Sequence, residues 1–230
     1  MLKCEGIVKK YMSCTAIENI SIDILPGKIY ALLGPNGSGK TTLMKIITGL
    51  IKPTQGTVTL DGVPVSPATK AHVAYMPTEN FFYSYMTTKD IGNFYKDFYE
   101  DFDIDLYHKL LIDLNLDNSK DKVKNMSSGM MAKLKVAVTI SRRSVVTLLD
   151  EPLNGIDIIA REKIITTITE NFNPKTTYLI SSHLVDELEK IIDSAIFIKN
   201  GLVVEFGDAE QLRQSYDKSI VDMYRQIYAE

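Results

Sequence analysis

At 230 residues, with 45% hydrophobic and 24% charged residues, the chain has the composition of a soluble globular protein long enough for one sizeable core. Its formal net charge of -3 argues against a protein whose main work is gripping nucleic acid through a broad basic face. Two cysteines, Cys4 and Cys14, form no CxxC pair, the N-terminus lacks a signal-like apolar core, and no apolar run reaches the roughly 18 residues of a membrane span, which points to reduced thiols in a cytosolic protein.

From the N-terminus, Tyr11 stands about twenty residues ahead of a glycine-rich loop, far enough to fold back over a nucleotide, where an exposed ring could stack on adenine or simply pack. Ile20 to Ile24 alternates apolar and polar residues, Pro26-Gly27 turns, and Lys28 to Leu33 reads as a buried strand. That strand runs into Gly34-Pro35-Asn36-Gly37-Ser38-Gly39-Lys40-Thr41, followed by a helical stretch, Thr42 to Leu50. A glycine, four free positions and Gly-Lys-Thr between a strand and a helix is the P-loop pattern. Missing Cβ atoms at Gly34, Gly37 and Gly39 let a phosphate chain approach the backbone N–H groups. The helix adds unpaired N–H groups of its first turn, Thr42 included, and the positive end of its dipole. Lys40 is then a mobile cation for the β- and γ-phosphates, and the Thr41 hydroxyl is placed to ligate Mg²⁺.

Further on, Thr57 to Leu60 and Val63 to Val65 flank Asp61-Gly62, the signal of a tight hairpin, and Val73 to Met76 is a short strand ended by Pro77. From Thr87 the spacing becomes helical, with Ile91, Phe94, Tyr95 and Phe98 on one face, and Leu106, Leu110, Leu111 and Leu114 continue it in a second helix. About 81–144 therefore reads as a helical subdomain inserted into one domain, with 1–80 and 145–230 supplying an α/β core and its antiparallel part. The acidic run from Glu100 to Asp105 reads as a solvated loop. Val145 to Leu149 is a strand buried on both faces, ending in Asp150-Glu151-Pro152. A helix, Ile158 to Phe172, precedes the strand Thr177 to Ser181, with His183 just beyond it. Leu184 to Ile192 reads as helical with Asp186, Glu187 and Glu189 outward, and Ala195 to Lys199 faces Leu202 to Phe206 across Asn200-Gly201. Ile220, Met223, Tyr224, Ile227 and Tyr228 have the spacing of a docked terminal helix.

A P-loop alone does not separate kinases, GTPases and ATPases, so the second carboxylate site carries more weight. Asp150 ends an apolar strand, where a P-loop enzyme places the aspartate that holds Mg²⁺ through its water shell. Glu151, next to it, can take a proton from water attacking the γ-phosphate.

The order and spacing of these motifs, from Tyr11 to about Phe206, resemble the ATP-binding subunits of ABC transporters. That family carries a signature, usually Leu-Ser-Gly-Gly-Gln, ahead of the second carboxylate site; Met126-Ser127-Ser128-Gly129-Met130 stands there, before a helix, Met131 to Arg142. The resemblance implies an α/β fold, a P-loop NTPase core of the ABC ATPase type with an antiparallel β subdomain and an inserted helical subdomain. It implies head-to-tail dimers around ATP and Mg²⁺, in which Ser127 and Gly129 of one protomer complete the γ-phosphate site of the other. By the same resemblance Tyr11 stacks on adenine, His183 contacts the γ-phosphate, and Asp157, in Asn154-Gly155-Ile156-Asp157, belongs to a loop coupling the two sites. The implied partners are a separately encoded transmembrane permease subunit and a second nucleotide-binding subunit, identical or related, at the cytoplasmic face of the membrane, with no nucleic acid. The short form and the Gly-Met-Met ending look most like subunits serving small exporters, including those linked to peptide antibiotics.

Two departures from the family pattern stand out. Thr78 occupies the place of a glutamine that senses Mg²⁺, and Ser128 and Met130 replace glycine and glutamine of the signature. They motivate a second reading, a nucleotide-gated regulatory module with slow hydrolysis that controls a partner without transport. The set Lys40, Thr41, Asp150, Glu151 and His183 is intact, so ATP hydrolysis is expected, with Lys40, Glu151 and His183 catalytic and Thr41, Asp150 and Thr78 around the metal.

Overall fold

The computed structural model describes residues 1–12, 14–117 and 122–229. Two sheets organise them. The first is antiparallel, in the order β2-β1-β4-β5, from β1 (Leu2–Tyr11), β2 (Cys14–Ile24), β4 (Gln55–Leu60) and β5 (Val63–Pro64). The second runs β10-β9-β3-β8-β7-β6 and comprises β3 (Ile29–Leu33), β6 (Val73–Met76), β7 (Val146–Asp150), β8 (Thr177–Ser182), β9 (Ser194–Lys199) and β10 (Leu202–Asp208). Its neighbours pair in parallel except β10 with β9.

Side chains of a strand point to alternate faces, so a strand buried on both sides must divide its residues between two cores. The sheet does this. Ile29, Ala31 and Leu33 of β3 face one cluster and Tyr30 and Leu32 the other; Ala195 and Phe197 of β9 likewise oppose Ile196 and Ile198. The second cluster lies between this sheet, the antiparallel sheet and α1 (Lys40–Ile47), where Leu43, Met44, Ile46 and Ile47 are buried. Covering the other face are α3 (Thr88–Phe98), α4 (Ile104–Asp113), α5 (Ser128–Ile140), α6 (Ile158–Glu170), α7 (Val185–Leu188), α8 (Ala209–Tyr216) and α9 (Ile220–Tyr228). A short α2 (Pro67–Lys70) is closed by a reciprocal cap between Ser66 and Thr69. Both expected two-residue turns are present: Asp61 and Gly62 have φ of 50° and 79°, Asn200 and Gly201 of 51° and 77°, the left-handed pair that fits the twist of a hairpin.

Several expectations are corrected by packing. Only part of the predicted apolar face of α3 is covered: Ile91 is buried and Tyr95 partly so, whereas Phe94 and Phe98 are exposed and rest on each other, ring centroids 4.5 Å apart. The strip beside Ile91 instead holds Gly92, whose Cβ would stand 2.6 Å from a ring carbon of the fully buried Tyr107. The acidic run is no solvated loop. Asp103 caps α4 by accepting the Leu106 N–H at 2.8 Å, and Asp101 grips Arg142. Arg142, 6% exposed, also donates to the Ala71 carbonyl at 2.6 Å and lies 3.7 Å over the Tyr99 ring, so the end of α5 is tied to the ends of both α2 and α3. The helix read over Leu184 to Ile192 is a single turn, α7, because Glu189 turns inward: it accepts the Ile220 N–H at 2.7 Å and pairs with Arg213 at 3.5 Å. Helix α8, capped by Asp208, had no apolar periodicity to announce it.

Candidate functional site

Parallel order places the ends of β3, β8 and β7 side by side. Leu33 lies opposite Ser182, and Asp150 opposite Ser181, so the loop after β3, His183 and the Asp150–Glu151 pair share the carboxyl edge of the sheet, where open α/β sheets bind ligands. The loop's backbone is held by its surroundings: Gly201 donates to the Ser38 carbonyl at 3.0 Å and Ser38 to the Pro35 carbonyl at 3.2 Å. This changes the reason for two glycines. A Cβ on Gly34 would stand 2.4 Å from the Ile198 carbonyl oxygen, and one on Gly39 2.7 Å from that of Ala16, so both are required by close packing of the loop on neighbouring strands. Of the three loop glycines, Gly37 is the one that opens onto free space. No side chain caps α1 and its first turn carries no acid, which leaves the N–H groups and dipole of that turn directed at the cleft.

The cleft has a volume of about 240 Å³ and is lined by Ala16, Asn36 to Thr42, Thr78, Glu151 and Asn154. Lys40 is 5% exposed and points inward: Nζ donates to the carbonyls of Gly34 at 2.7 Å and Pro35 at 3.1 Å and lies 3.2 Å from Glu151 Oε1. The expected mobile cation is thus a pinned one, because the loop curls its own carbonyls around the ammonium. Glu151 Oε2 lies 2.9 Å from His183 Nδ1, so the carboxylate is bracketed by Lys40 and His183. The ion pair with Lys40 lacks hydrogen-bond alignment, and Glu151 Oε1, like Ser38 Oγ, is buried without a hydrogen-bond partner. Such atoms cluster at binding sites because a ligand can complete them. Glu151 also has φ of 50°, a left-handed conformation uncommon for a residue other than glycine.

Asp150 is fully buried, and three hydroxyls saturate most of it. Ser181 donates to Oδ1 at 2.6 Å; Thr78 and Tyr75 donate to Oδ2 at 3.2 and 3.3 Å. A carboxylate offers about four acceptor positions, so about one remains, enough for a water but not for close metal coordination. The oxygen donors of Thr41, Asp150 and Thr78 suit a hard cation such as Mg²⁺, which keeps several waters and takes only one or two protein ligands. Burial, reinforced by the Asp150 charge, holds the Tyr75 hydroxyl well above the usual phenol range. Lys135 of α5 donates to the carbonyls of Thr78 at 2.8 Å and Glu79 at 3.2 Å; its burial lowers the ammonium's pKa. Tyr228 of α9 ties β9 to the end of β3 just ahead of the loop, its hydroxyl 2.8 Å from the Ile198 carbonyl and 3.1 Å from that of Leu33.

The remaining predicted residues stand apart from the cleft. Tyr11 is 45% exposed at the end of β1, with Lys9 Nζ 4.9 Å over its ring. Ser127 caps α5 by accepting the Met130 N–H at 3.2 Å, and Asp157 caps α6 through Ala160 at 2.9 Å. These two helix N-termini adjoin, a Cβ on Gly129 falling 3.6 Å from Asp157 Oδ2. Sequence reasoning passed over Ser181, Tyr75 and Lys135. Tyr75 and Lys135 each had one visible signal, a polar side chain inside an otherwise apolar strand or helix segment, whereas Ser181, beside Ser182 at the end of its strand, had none.

The sequence profile described as "ABC transporter" matches residues 17–154. The lantibiotic transport ATP-binding protein SrtF of Streptococcus pyogenes is 31% identical over 226 residues, covering 96% of this chain and 98% of its own. The ABC transporter ATP-binding protein YtrB of Bacillus subtilis (strain 168) is 28% identical, covering 95% of this chain and 75% of its own. Among solved structures, an ATP-binding subunit of an ABC transporter superposes with a TM-score of 0.88 at 23% identity, covering 98% of each chain. The dimeric post-hydrolysis cassette MJ0796, bound to ADP and Pi, superposes with a TM-score of 0.79 at 20% identity, covering 90% of this chain and 98% of its own.

Proposed function

The chain belongs to the ABC transporter family as an ATP-binding ATPase subunit, and from that premise we propose that its ATP–Mg²⁺ site is the cleft between Gly34–Thr42 and Glu151, completed by a second protomer. The observation that carries this reading is the convergence of an uncapped helix N-terminus, a buried lysine and a carboxylate without a full set of partners on one cleft. The phosphate chain of ATP lies along Asn36 to Thr42, and Lys40 exchanges the Gly34 and Pro35 carbonyls for phosphate oxygens. That exchange draws Lys40 from Glu151 and leaves the carboxylate to take a proton from the attacking water, oriented by His183 at 2.9 Å. Thr41 would hold Mg²⁺ directly and Asp150 would hold it through water, and the ion would supply neutralisation of phosphate charge.

Tyr11 stacks on adenine from the end of β1. Ser127 and Gly129, exposed or half-exposed at the start of α5, act on the nucleotide of the second protomer, and Asp157 beside Gly129 links the two sites. Residues 1–230 act as one ABC ATPase domain whose helical part, about 81–144, carries that start of α5. Among the described residues no helix is long and apolar enough to cross a membrane. As a member of this family the protein works at the cytoplasmic face through a separately encoded permease, and the likeness to SrtF supports export of a small peptide-like substrate. The test is nucleotide turnover and binding in two variants. Glu151→Gln lowers turnover by about 10²-fold or more while ATP still binds, and Lys40→Ala loses tight ATP binding. Wild-type turnover in Glu151→Gln, or unchanged titration of Lys40→Ala with ATP, would refute these roles; inherently slow wild-type hydrolysis would favour the regulatory reading.

A further inference from the structure

Lys135 is placed where a lysine is costly. It lies in α5 between Leu134 and Val136, Ala137 and Val138, and is 6% exposed. An apolar residue would fill such a position without desolvating a charge. Its Nζ crosses to the loop after β6 and donates to the carbonyls of Thr78 at 2.8 Å and Glu79 at 3.2 Å. From the other side, the Thr78 hydroxyl donates to Asp150 Oδ2 at 3.2 Å. Residue 78 is therefore clasped twice, its carbonyl by α5 and its hydroxyl by the aspartate at the end of β7. A second cleft, of about 280 Å³, runs along this link and is lined by Lys135, Ser128 and Asn80 together with Thr78, Glu151 and Asn154, the last three shared with the nucleotide cleft.

We propose that Lys135 is a positioning residue for the metal aspartate: by fixing residue 78 it holds the Thr78 hydroxyl on Asp150, and so makes the metal site depend on where α5 lies. The proposal rests on the reading of the Gly34–Thr42 cleft as the ATP–Mg²⁺ site. The physical reasoning is that of any hydrogen-bonded outer shell. Asp150 has about one acceptor position left for a metal-bound water, and which one depends on the hydroxyls that occupy the others. If Lys135 lets go, residue 78 is free to turn its hydroxyl to solvent, and Asp150 Oδ2 loses one of its two donors. The chain runs without interruption from the helix capped by Ser127 to Asp150, so a displacement of one end is felt at the other.

The test uses the full chain and measures binding as well as turnover. Affinity for a fluorescent ATP analogue is determined without Mg²⁺ and across a Mg²⁺ series. Loss of an outer-shell partner weakens metal binding roughly 10- to 100-fold, so Lys135→Met is expected to raise the half-saturating Mg²⁺ concentration by about tenfold or more, leaving Mg²⁺-free affinity within about twofold. kcat falls, KM for ATP at saturating Mg²⁺ holds, and Lys135→Arg, which retains charge and donors, recovers most of the loss. Lys133→Met, on the same helix, leaves the Mg²⁺ requirement unchanged. An unshifted Mg²⁺ requirement in Lys135→Met, or equal losses with and without Mg²⁺, overturns the proposal. Should Lys135→Met not fold, Thr78→Val cuts the same link at its other end and must produce the same selective shift, or the proposal fails. If Lys40→Ala binds the analogue like wild type, the nucleotide reading of the cleft has failed; if Lys40→Ala is blind to it and Lys135→Met is unshifted, the Lys135 role alone has failed.

Discussion

Ser181→Ala puts the geometry of the carboxylate pair to its sharpest test. The Ser181 hydroxyl donates to Asp150 Oδ1 at 2.6 Å and accepts the Glu151 N–H at 2.9 Å, and the residue is fully buried. Removing it deprives a carboxylate of a charge-assisted hydrogen bond, about 1.5–3 kcal/mol, and strands a backbone N–H, about 1–3 kcal/mol. Tyr75 and Thr78 still serve Asp150, which favours the lower ends, so the sum is about 2.5 kcal/mol. For a chain of this size each kcal/mol moves the melting temperature by about 2–4 °C, giving a fall of roughly 5–10 °C. Turnover suffers separately. The left-handed backbone at Glu151, with φ of 50°, costs of order 1–3 kcal/mol to hold, and Ser181 is what its N–H binds. Once released, the carboxylate leaves its place beside His183, and a displacement of about 1 Å can cost about 10²-fold in rate. Circular dichroism melts and phosphate release measure the two effects, with Ser181→Thr as the variant that keeps the hydroxyl. Ser181→Ala melting within about 2 °C of wild type, with turnover within about twofold, would refute the reasoning.

Two further outcomes follow from packing and charge. Gly92→Ala is expected to destabilise the protein by about 1–2 kcal/mol: Tyr107 cannot yield, its hydroxyl being bonded to the Thr88 carbonyl at 2.8 Å, which places the overpacking cost in the upper part of its range, about 2–3 kcal/mol, against a gain in helix propensity of about 1. Denaturant melts would show it, and a stability equal to or above wild type would mean that the ring moves freely. For Asp103, the Leu106 N–H and then the Arg143 guanidinium hold the carboxyl below its ordinary 3.8. A lowered folded pKa means stability that is complete above 3.8 and lost as pH falls through the folded value. The stability gap between wild type and Asp103→Asn should therefore be constant near neutral pH and shrink on acidification below the carboxylate range, as read from urea melts at each pH; a gap that widens there would contradict the sign.

Much of the architecture was readable locally. Asp61-Gly62 and Asn200-Gly201 predict their hairpins because the turn chemistry depends on those residues alone, and apolar runs such as Val145–Leu149 predict buried strands through composition alone. What failed was partner choice. Glu189 looked like one more exposed acid of an amphipathic helix, yet it accepts a bond from Ile220, 31 residues away; the acids at 101 and 103 looked solvated, yet they hold Arg142 and Arg143. Phe94 and Phe98 had the right period for burial, but period says only which side chains share a face, and the width of the covering helices decides how much of that face is covered.

By itself, then, the sequence determined the strand–loop–helix at Gly34–Thr41, the strand ending in Asp150 and Glu151, and the order in which His183 follows them, because backbone preferences and motif chemistry act over a few neighbouring residues. Only the tertiary structure decided that Lys40 folds back on its own loop and Glu151, that three hydroxyls enclose Asp150, and that Lys135 reaches residue 78. The reason is physical. A polar group on a buried element must find its partner among elements brought alongside by the sheet, and for Asp150 those partners come from 31, 72 and 75 residues away.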